Sequence, residues 1–248
     1  MKESTKVKFQ HVSVATIATA LYKRGLRHQV IQRAYPIGWK GANMVGPAFT
    51  LRYMPAREDR NGIEVFRNPD HKQRVAIETC PEGHVLVMDS RKQADAASAG
   101  DILITRLMKR GAAGVITDGG FRDAMNVAAL DIPAYHTRPS SPTNLTNNEA
   151  IAINEPIGCG DAPVFPGDVI VGDADSVIVV PAEIADEIAD ECVEMTAYEE
   201  FALEQVEQGN TIIGLYPCTK DEHRAAFEAW LAAQDDSHFY RRVKQDAP

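Results

Sequence analysis

A layered α/β domain is the fold class this sequence predicts, on three observations. Short β-branched runs are mixed with helical periodicities, without the regular βαβα alternation of a barrel. A chain of 248 residues, 44% of them hydrophobic, carries enough apolar side chain for one large core. The stretch AGDILITRLMKRGAAGVITDGGFRD, residues 99–123, reads as a helix, a glycine break, a strand and a glycine turn.

Taken in order, VSVATIATALYKRGL sets Val14, Ile17, Ala18 and Leu21 at helical spacing and stops at Gly25, a residue suited to a left-handed helix end. GPAFTLRYM then alternates Phe49, Leu51 and Tyr53 against Thr50 and Arg52, as a half-buried strand does; HVLVMD at 84–89 is a short buried strand. Between them, PAREDRNGIEVFRNPDHKQRVAIETC is long, charged and rich in turn residues. It reads as a solvated loop plus a short helix, or as a flap over a site. FPGDVIVGDADSVIVVPAEIADEIADECVEM predicts strand, tight turn, strand, then a helix opening just after Pro181 with Ile184, Ile188, Cys192 and Met195 on one face. That helix can continue to Gly209. TIIGLY is a short strand candidate, and TKDEHRAAFEAWLAAQ opens with a capping box, Thr219 and Glu222, as an amphipathic helix. Its stripe of Ala226, Phe227, Trp230 and Leu231 needs cover, from a second copy or from its own domain. The last dozen residues read as frayed. The chain divides into a domain over residues 1–209 and a C-terminal extension over 210–248.

Composition excludes several functions. A net charge of −9 and a pI near 5.3 repel a phosphate backbone, and no basic run or zinc-finger spacing offsets this, so nucleic acid is not expected as a partner. No apolar stretch approaches the roughly 18 residues that span a bilayer, and MKESTKVKFQ is too polar for a secretory signal, so a cytoplasmic protein without membrane contact is expected. Cys80, Cys159, Cys192 and Cys218 are widely spaced and read as reduced, mostly buried thiols. His136 and the other histidines form no metal-ligand spacing.

The chemistry concentrates in the stretch 99–123. Residues 101–110 fit a helix with Asp101 at its start and Arg106, Lys109 and Arg110 at its end, matching the macrodipole, with Gly111 as the stop. Ten residues rise about 15 Å as a helix, and a strand of about five residues travels back a similar distance. The turn DGGFRD therefore returns beside Asp101 and the unpaired N–H groups of Ile102, Leu103 and Ile104, a place suited to an anion. Arg122 adds a planar fork of donors matching a carboxylate or enolate oxygen. Asp123 is a hard oxygen ligand and, with Asp101, fits a hydrated Mg²⁺ or Mn²⁺. The spacing alone also fits a helix cap and a surface ion pair.

Asp101, twenty intervening residues, then Arg122-Asp123, with GAAGVITDGGFRD at the end, resembles the class II pyruvate aldolases acting on 4-hydroxy-4-methyl-2-oxoglutarate and 4-carboxy-4-hydroxy-2-oxoadipate, whose fold is shared by the RraA regulators of ribonuclease E. VSVATIATALYKRG, MVGPAFTLRY and PGDVIVGDADSVIVVP extend the likeness over most of residues 11–209. The resemblance implies a swivelling β/β/α fold, a homotrimer or homohexamer with its site at a subunit boundary, and a divalent metal. It further implies Asp123 as metal ligand, Arg122 on the keto oxygen and carboxylate end of a 2-oxo acid, Asp101 handling a water in proton transfer, and the amides of Ile102 and Leu103 receiving the pyruvyl carboxylate. A glutamate from a neighbouring copy, Glu199 or Glu200, completes the metal shell in this reading. The segment 55–75 and the extension after 209 depart from the compact members of the family.

The implied activity is a lyase that cleaves a 4-hydroxy-2-oxo acid to pyruvate and a carbonyl product, with oxaloacetate decarboxylation as a side activity. The alternative is a non-catalytic RraA-type regulator binding a protein such as a ribonuclease. A Schiff-base aldolase is weaker, since Lys109 is at the far helix end and no lysine lies in the turn.

Overall fold

The computed structural model describes residues 1–245. Two helices, α1 (Glu3–Phe9) and α2 (Val14–Lys23), come first, α2 capped by the Ser13 hydroxyl, which accepts from Thr16 N. The strands β1 (Tyr35–Pro36) and β2 (Met44–Pro55) follow, then a charged segment with a 3₁₀ turn at Ile63–Arg67 and α3 (Lys72–Thr79). Next come β3 (Val85–Asp89), β4 (Ala97–Ala99), α4 (Asp101–Lys109), β5 (Gly114–Thr117), β6 (Gly120–Phe121) and α5 (Ala124–Ala129). The remaining strands are β7 (Ala134–His136), β8 (Arg138–Pro139), β9 (Asn148–Ile153), β10 (Ile157–Cys159), β11 (Ala162–Val164), β12 (Val169–Gly172) and β13 (Val177–Val180). The helices α6 (Ala185–Glu207), α7 (Asp221–Ala233) and α8 (Phe239–Gln245) close the order.

The main sheet runs β1-β7-β5-β3-β2-β12-β13, with β9 also paired to β2. Its centre is parallel (β2, β3, β5, β7) and its ends are antiparallel, the mixed arrangement of a layered α/β domain. The long β2 serves two neighbours on one edge: its first residues pair with β12 and its last with β9, with an irregularity between Arg52 and Tyr53. A second small sheet, β4-β6-β8, sets up the cleft described below.

Buried side chains form distinct layers. Phe49, Leu51, Leu86, Ile104, Leu107, Val115 and Phe121 join one sheet face to α3, α4 and α5. Phe9, Ile17, Leu21, Val171, Ile178, Ile188 and Cys192 join α1, α2 and α6 to β12 and β13. Met44, Val87, Ile116, Tyr135, Cys159 and Val179 fill a third layer under the β10–β11 hairpin. All four cysteines are free, with Cys80, Cys159 and Cys192 buried. No helix among the described residues is long and apolar enough to cross a membrane.

Three C-terminal expectations are corrected. TIIGLY is not a strand: Leu215 N and Tyr216 N both donate back to Ile212 O, making a turn, and Leu215 is buried against Phe201. The capping box is absent: α7 is preceded by Lys220, no side chain caps it, and Glu222 instead pairs with Lys220 at 3.3 Å. The last dozen residues are not frayed as a whole. Residues 239–245 form α8, because Val243 buries itself among the α1, α2 and α6 residues; residues 246–248 lie outside the described residues. The α7 stripe packs on its own chain, Phe227 and Trp230 meeting Phe201 of α6 at ring separations of 5.7 and 5.9 Å. That contact removes this stripe as an argument for a second copy.

Candidate active site

The cleft is built by chain connectivity. β4 and β6 pair in parallel, and Arg122 N extends the ladder by donating to Ala99 O at 3.0 Å. The residue after β4 is Gly100, the N-cap of α4, so the pairing lays Arg122 and Asp123 against the helix N-terminus. Gly119 and Gly120 are needed for close approach: a Cβ at Gly119 would sit 2.7 Å from Ser90 Cβ, and one at Gly120 would sit 2.6 Å from Ser140 Cβ. Neither takes positive φ; the left-handed residue is Asp123, at φ 57°. Aspartate tolerates that conformation, and here its carboxylate does not cap α5, which it precedes. It lies instead beside Gly100, with Oδ2 3.3 Å from Arg122 Nε.

An open cleft of about 250 Å³ is lined by Gly100, Asp101, Ile102, Leu103, Arg122 and Asp123 from these elements. The first helical bond of α4 is Ile104 N to Gly100 O, which leaves the amides of Asp101, Ile102 and Leu103 without intrahelical partners. Asp101 folds back on one of them: its Oδ1 accepts from Ile102 N at 2.7 Å, while its Oδ2 accepts from Asn126 Nδ2 at 2.8 Å. Asn126 therefore fixes the carboxylate's orientation. Ile102 is 80% exposed, an unusual place for a large apolar residue, at the rim of the cleft. Leu103 is half-buried on the core.

The remaining wall comes from the charged segment and from the loop after β8: Phe66, Gln73, Arg74, Thr143 and Asn144. Gln73 is buried, its Nε2 donating to Ser98 O at 2.6 Å. The charged segment is thus both a loop with a short helix and a wall of the cleft. The sequence allows the segment to be either a solvated loop with a short helix or a flap, and does not single out Arg74, Gln73 and Asn126, which stand in no motif. The one available signal for Arg74 was its place in a segment carrying an aromatic and several cations.

Two expected metal ligands are not in this cleft of the same chain. Glu199 accepts from Thr16 Oγ1 at 2.8 Å and from Tyr216 Oη at 3.0 Å; Glu200 pairs with His238 Nε2 at 2.9 Å. Among the described residues no three His, Cys, Asp or Glu side chains of the chain cluster as a metal site. The two carboxylates that do line the cleft, Asp101 and Asp123, suit a hard cation that keeps most of its water, as Mg²⁺ does with one or two protein carboxylates. Among the described residues no lysine lines the cleft.

Behind the cleft, His136 stacks on Phe121 at 5.8 Å and faces Phe121 N with Nδ1 at 3.3 Å, and its burial pushes its pKa down to about 4. Asp118 is buried and accepts from the backbone N–H groups of Ser90, Lys92 and Gly160. Desolvation still raises it to about 6, those bonds opposing the shift. Both groups brace the turn from β5 to β6.

Comparison with known proteins identifies the family of the chain. The profile of the RraA-like family, described as Aldolase/RraA, matches residues 14–179. A Halalkalibacterium halodurans protein named "Putative 4-hydroxy-4-methyl-2-oxoglutarate aldolase" is 39% identical over 103 residues, which cover 40% of this chain and 47% of that protein. Legionella pneumophila protein DlpA is 23% identical over 175 residues, 70% of this chain and 27% of its own. The chain thus spans about half or less of the length of these curated relatives. Among solved structures, Streptomyces coelicolor RraAS2, described as an unusual member of the RNase ES inhibitor RraA protein family, superposes with a TM-score of 0.71 at 28% identity, covering 82% of this chain and 96% of that one. An uncharacterized Pseudomonas syringae protein, 21% identical, shares the fold at a TM-score of 0.71, covering 87% of this chain and 98% of that one. With its profile match spanning most of the chain and its layered α/β fold superposing on an RraA protein, the chain belongs to the RraA-like (Aldolase/RraA) family.

Proposed function

We propose that this protein is a divalent-metal-dependent pyruvate aldolase, a carbon–carbon lyase acting on a 4-hydroxy-2-oxo acid. The observation that carries the reading is the meeting of Asp101, Arg122 and Asp123 with the first-turn amides of α4 in one small cleft. In this reading the first-turn amides, including those of Ile102 and Leu103, receive the substrate carboxylate, where N–H groups and the helix dipole favour an anion. The Ile102 amide must then exchange its bond to Asp101 for the ligand. Arg122 faces the 2-oxo oxygen. Loss of the 4-hydroxyl proton breaks the C3–C4 bond, the carbonyl product leaves, and the electron pair moves to the 2-oxygen as an enolate. Arg122 meets that charge as it arrives, and removing such a donor typically costs about 10²–10³ in rate. Asp101, oriented by Asn126, holds the water through which a proton moves, and protonation at C3 gives pyruvate. Asp123 would hold Mg²⁺ or Mn²⁺, which when bound would supply Lewis-acid stabilisation of the enolate charge. The same enolate arises from oxaloacetate by loss of CO₂, so decarboxylation of oxaloacetate, as a separate substrate, is a side activity in this reading.

This reading includes a cytoplasmic homotrimer or homohexamer in which Glu199 or Glu200 of a neighbouring copy joins Asp123. Each already has partners in its own chain, which that role must displace or share. The rival reading, an RraA-type regulator without catalysis, is supported by the 28% identity to RraAS2. One assay separates them: pyruvate release from a panel of 4-hydroxy-2-oxo acids with Mg²⁺ or Mn²⁺. Turnover supports the lyase, and its absence across the panel leaves the regulator.

A further inference from the structure

A second guanidinium lines the same cleft. Arg74 lies on α3, half-buried, with Cζ 4.6 Å from the centre of the Phe66 ring, and Phe66 is itself held edge-on by His71 at 5.1 Å. Stacking fixes the plane of the guanidinium and leaves its N–H fork at the edge available. Among the described residues Arg74 makes no hydrogen bond or ion pair, whereas Arg24, Arg57, Arg106 and Arg138 each pair with a carboxylate.

Charge points the same way. The ionisable residues lining the cleft are Arg74, Asp101, Arg122 and Asp123, formally neutral together. A divalent cation makes the sum positive by two, a charge that a dianion neutralises and a monoanion does not. At about 250 Å³ the cleft lies below the usual range for drug-sized ligands, about 300–1,000 Å³, and so suits a short acid.

We propose that Arg74 is a specificity-determining residue that takes a second carboxylate, at the end of the ligand away from α4, so that the cleft selects 2-oxo dicarboxylates over 2-oxo monocarboxylates. The proposal rests on the 2-oxo acid reading of the site, and binding tests it separately from turnover. Isothermal titration in Mg²⁺ compares 2-oxoglutarate with 2-oxopentanoate, which share the 2-oxo acid end and differ at the distal one. A charge-assisted hydrogen bond is worth about 1.5–3 kcal/mol, so the wild-type protein is expected to favour 2-oxoglutarate by about ten-fold or more. Arg74→Gln should remove that preference by weakening 2-oxoglutarate alone, and Arg74→Lys should restore part of it, with thermal unfolding matched among the three proteins. A preference that survives Arg74→Gln, an equal loss on both acids, or wild-type protein that binds neither acid overturns the assignment. Preferential binding without pyruvate release from any 4-hydroxy-2-oxo acid would instead sink the lyase reading and leave Arg74 in place. Turnover with the preference intact in Arg74→Gln would do the reverse.

Discussion

Gly100→Ala isolates the geometry of the cleft from the stability of the fold. Gly100 has φ −128° and ψ −176°, ordinary extended backbone open to any residue, so alanine adds no backbone strain. Its Cβ, however, would lie 2.6 Å from Arg122 Cγ, 2.9 Å from Asp123 Oδ2 and 3.0 Å from Arg122 Cδ. Carbon contacts are favourable at about 3.5–4.0 Å, so the Arg122 side chain must retreat by nearly 1 Å and Asp123 by somewhat less. Both side chains are partly exposed, at 51% and 36%, and have room to swing, which keeps the stability cost within about 1 kcal/mol, the scale of losing glycine at a helix N-cap. A misplacement of that size costs about 10² in rate where geometry is catalytic, or about 2.7 kcal/mol of transition-state stabilisation. Steady-state pyruvate release, read beside thermal unfolding, checks both halves. A variant with wild-type kcat/KM would mean that Arg122 and Asp123 need not stand where the cleft holds them, and the mechanism built on their position would fall.

Arg122→Lys should keep the fold and lose most activity, mainly in kcat, since lysine retains charge without the two-pronged fork and the enolate exists only after bond cleavage begins; unchanged kcat/KM would reduce Arg122 to a surface partner of Asp123. His136 should remain neutral down to about pH 4 by NMR titration, and titration near its ordinary 6.5 would contradict its burial. Because its folded pKa lies below the unfolded one, its stabilising contribution is complete above about 6.5 and drains away as pH falls toward 4, by at most about 1.4 kcal/mol per pH unit. Asp118, raised to about 6, acts oppositely over pH 6 to 4, so His136→Asn, whose Oδ1 can still accept from Phe121 N, should flatten only the histidine's share of the unfolding-versus-pH curve. Sedimentation should show a homo-oligomer at micromolar concentration; a fully active monomer would eliminate any borrowed glutamate.

The layered fold was legible because local pattern and burial agreed in part: Phe49, Leu51 and Tyr53 are buried in β2 and Arg52 is exposed, but Thr50, expected on the solvent side, is fully buried with its hydroxyl donating to Glu155 O. The α4–β5 unit was legible for a simpler reason, the equal lengths of a short helix and the strand that returns beside it. What the sequence could not convey was the device that closes the cleft. The β4–β6 pairing rests on strands of three and two residues, too short to leave a periodicity. Arg74 and Asn126 reach the site through tertiary packing and belong to no motif. TIIGLY failed because β-branched composition measures fit to a pleated, half-buried surface, and here no neighbouring strand offers one. The C-terminal end failed for the opposite reason: α8 is short and highly charged, and the burial of Val243 among α1, α2 and α6 residues, with Phe239 and Tyr240 packed beside it, makes a helix worth its ordering.

The central claim is that Asp123 and a divalent cation act with Arg122 to cleave a 4-hydroxy-2-oxo acid. Its most direct test is pyruvate release by the metal-stripped protein, with Mg²⁺ or Mn²⁺ then added back, for wild type and Asp123→Asn side by side. The expected result is activity that vanishes on chelation and returns with metal in the wild type, and that metal fails to restore in Asp123→Asn while thermal unfolding stays close to wild type. Undiminished turnover in the stripped wild type, or full activity in Asp123→Asn, would contradict it.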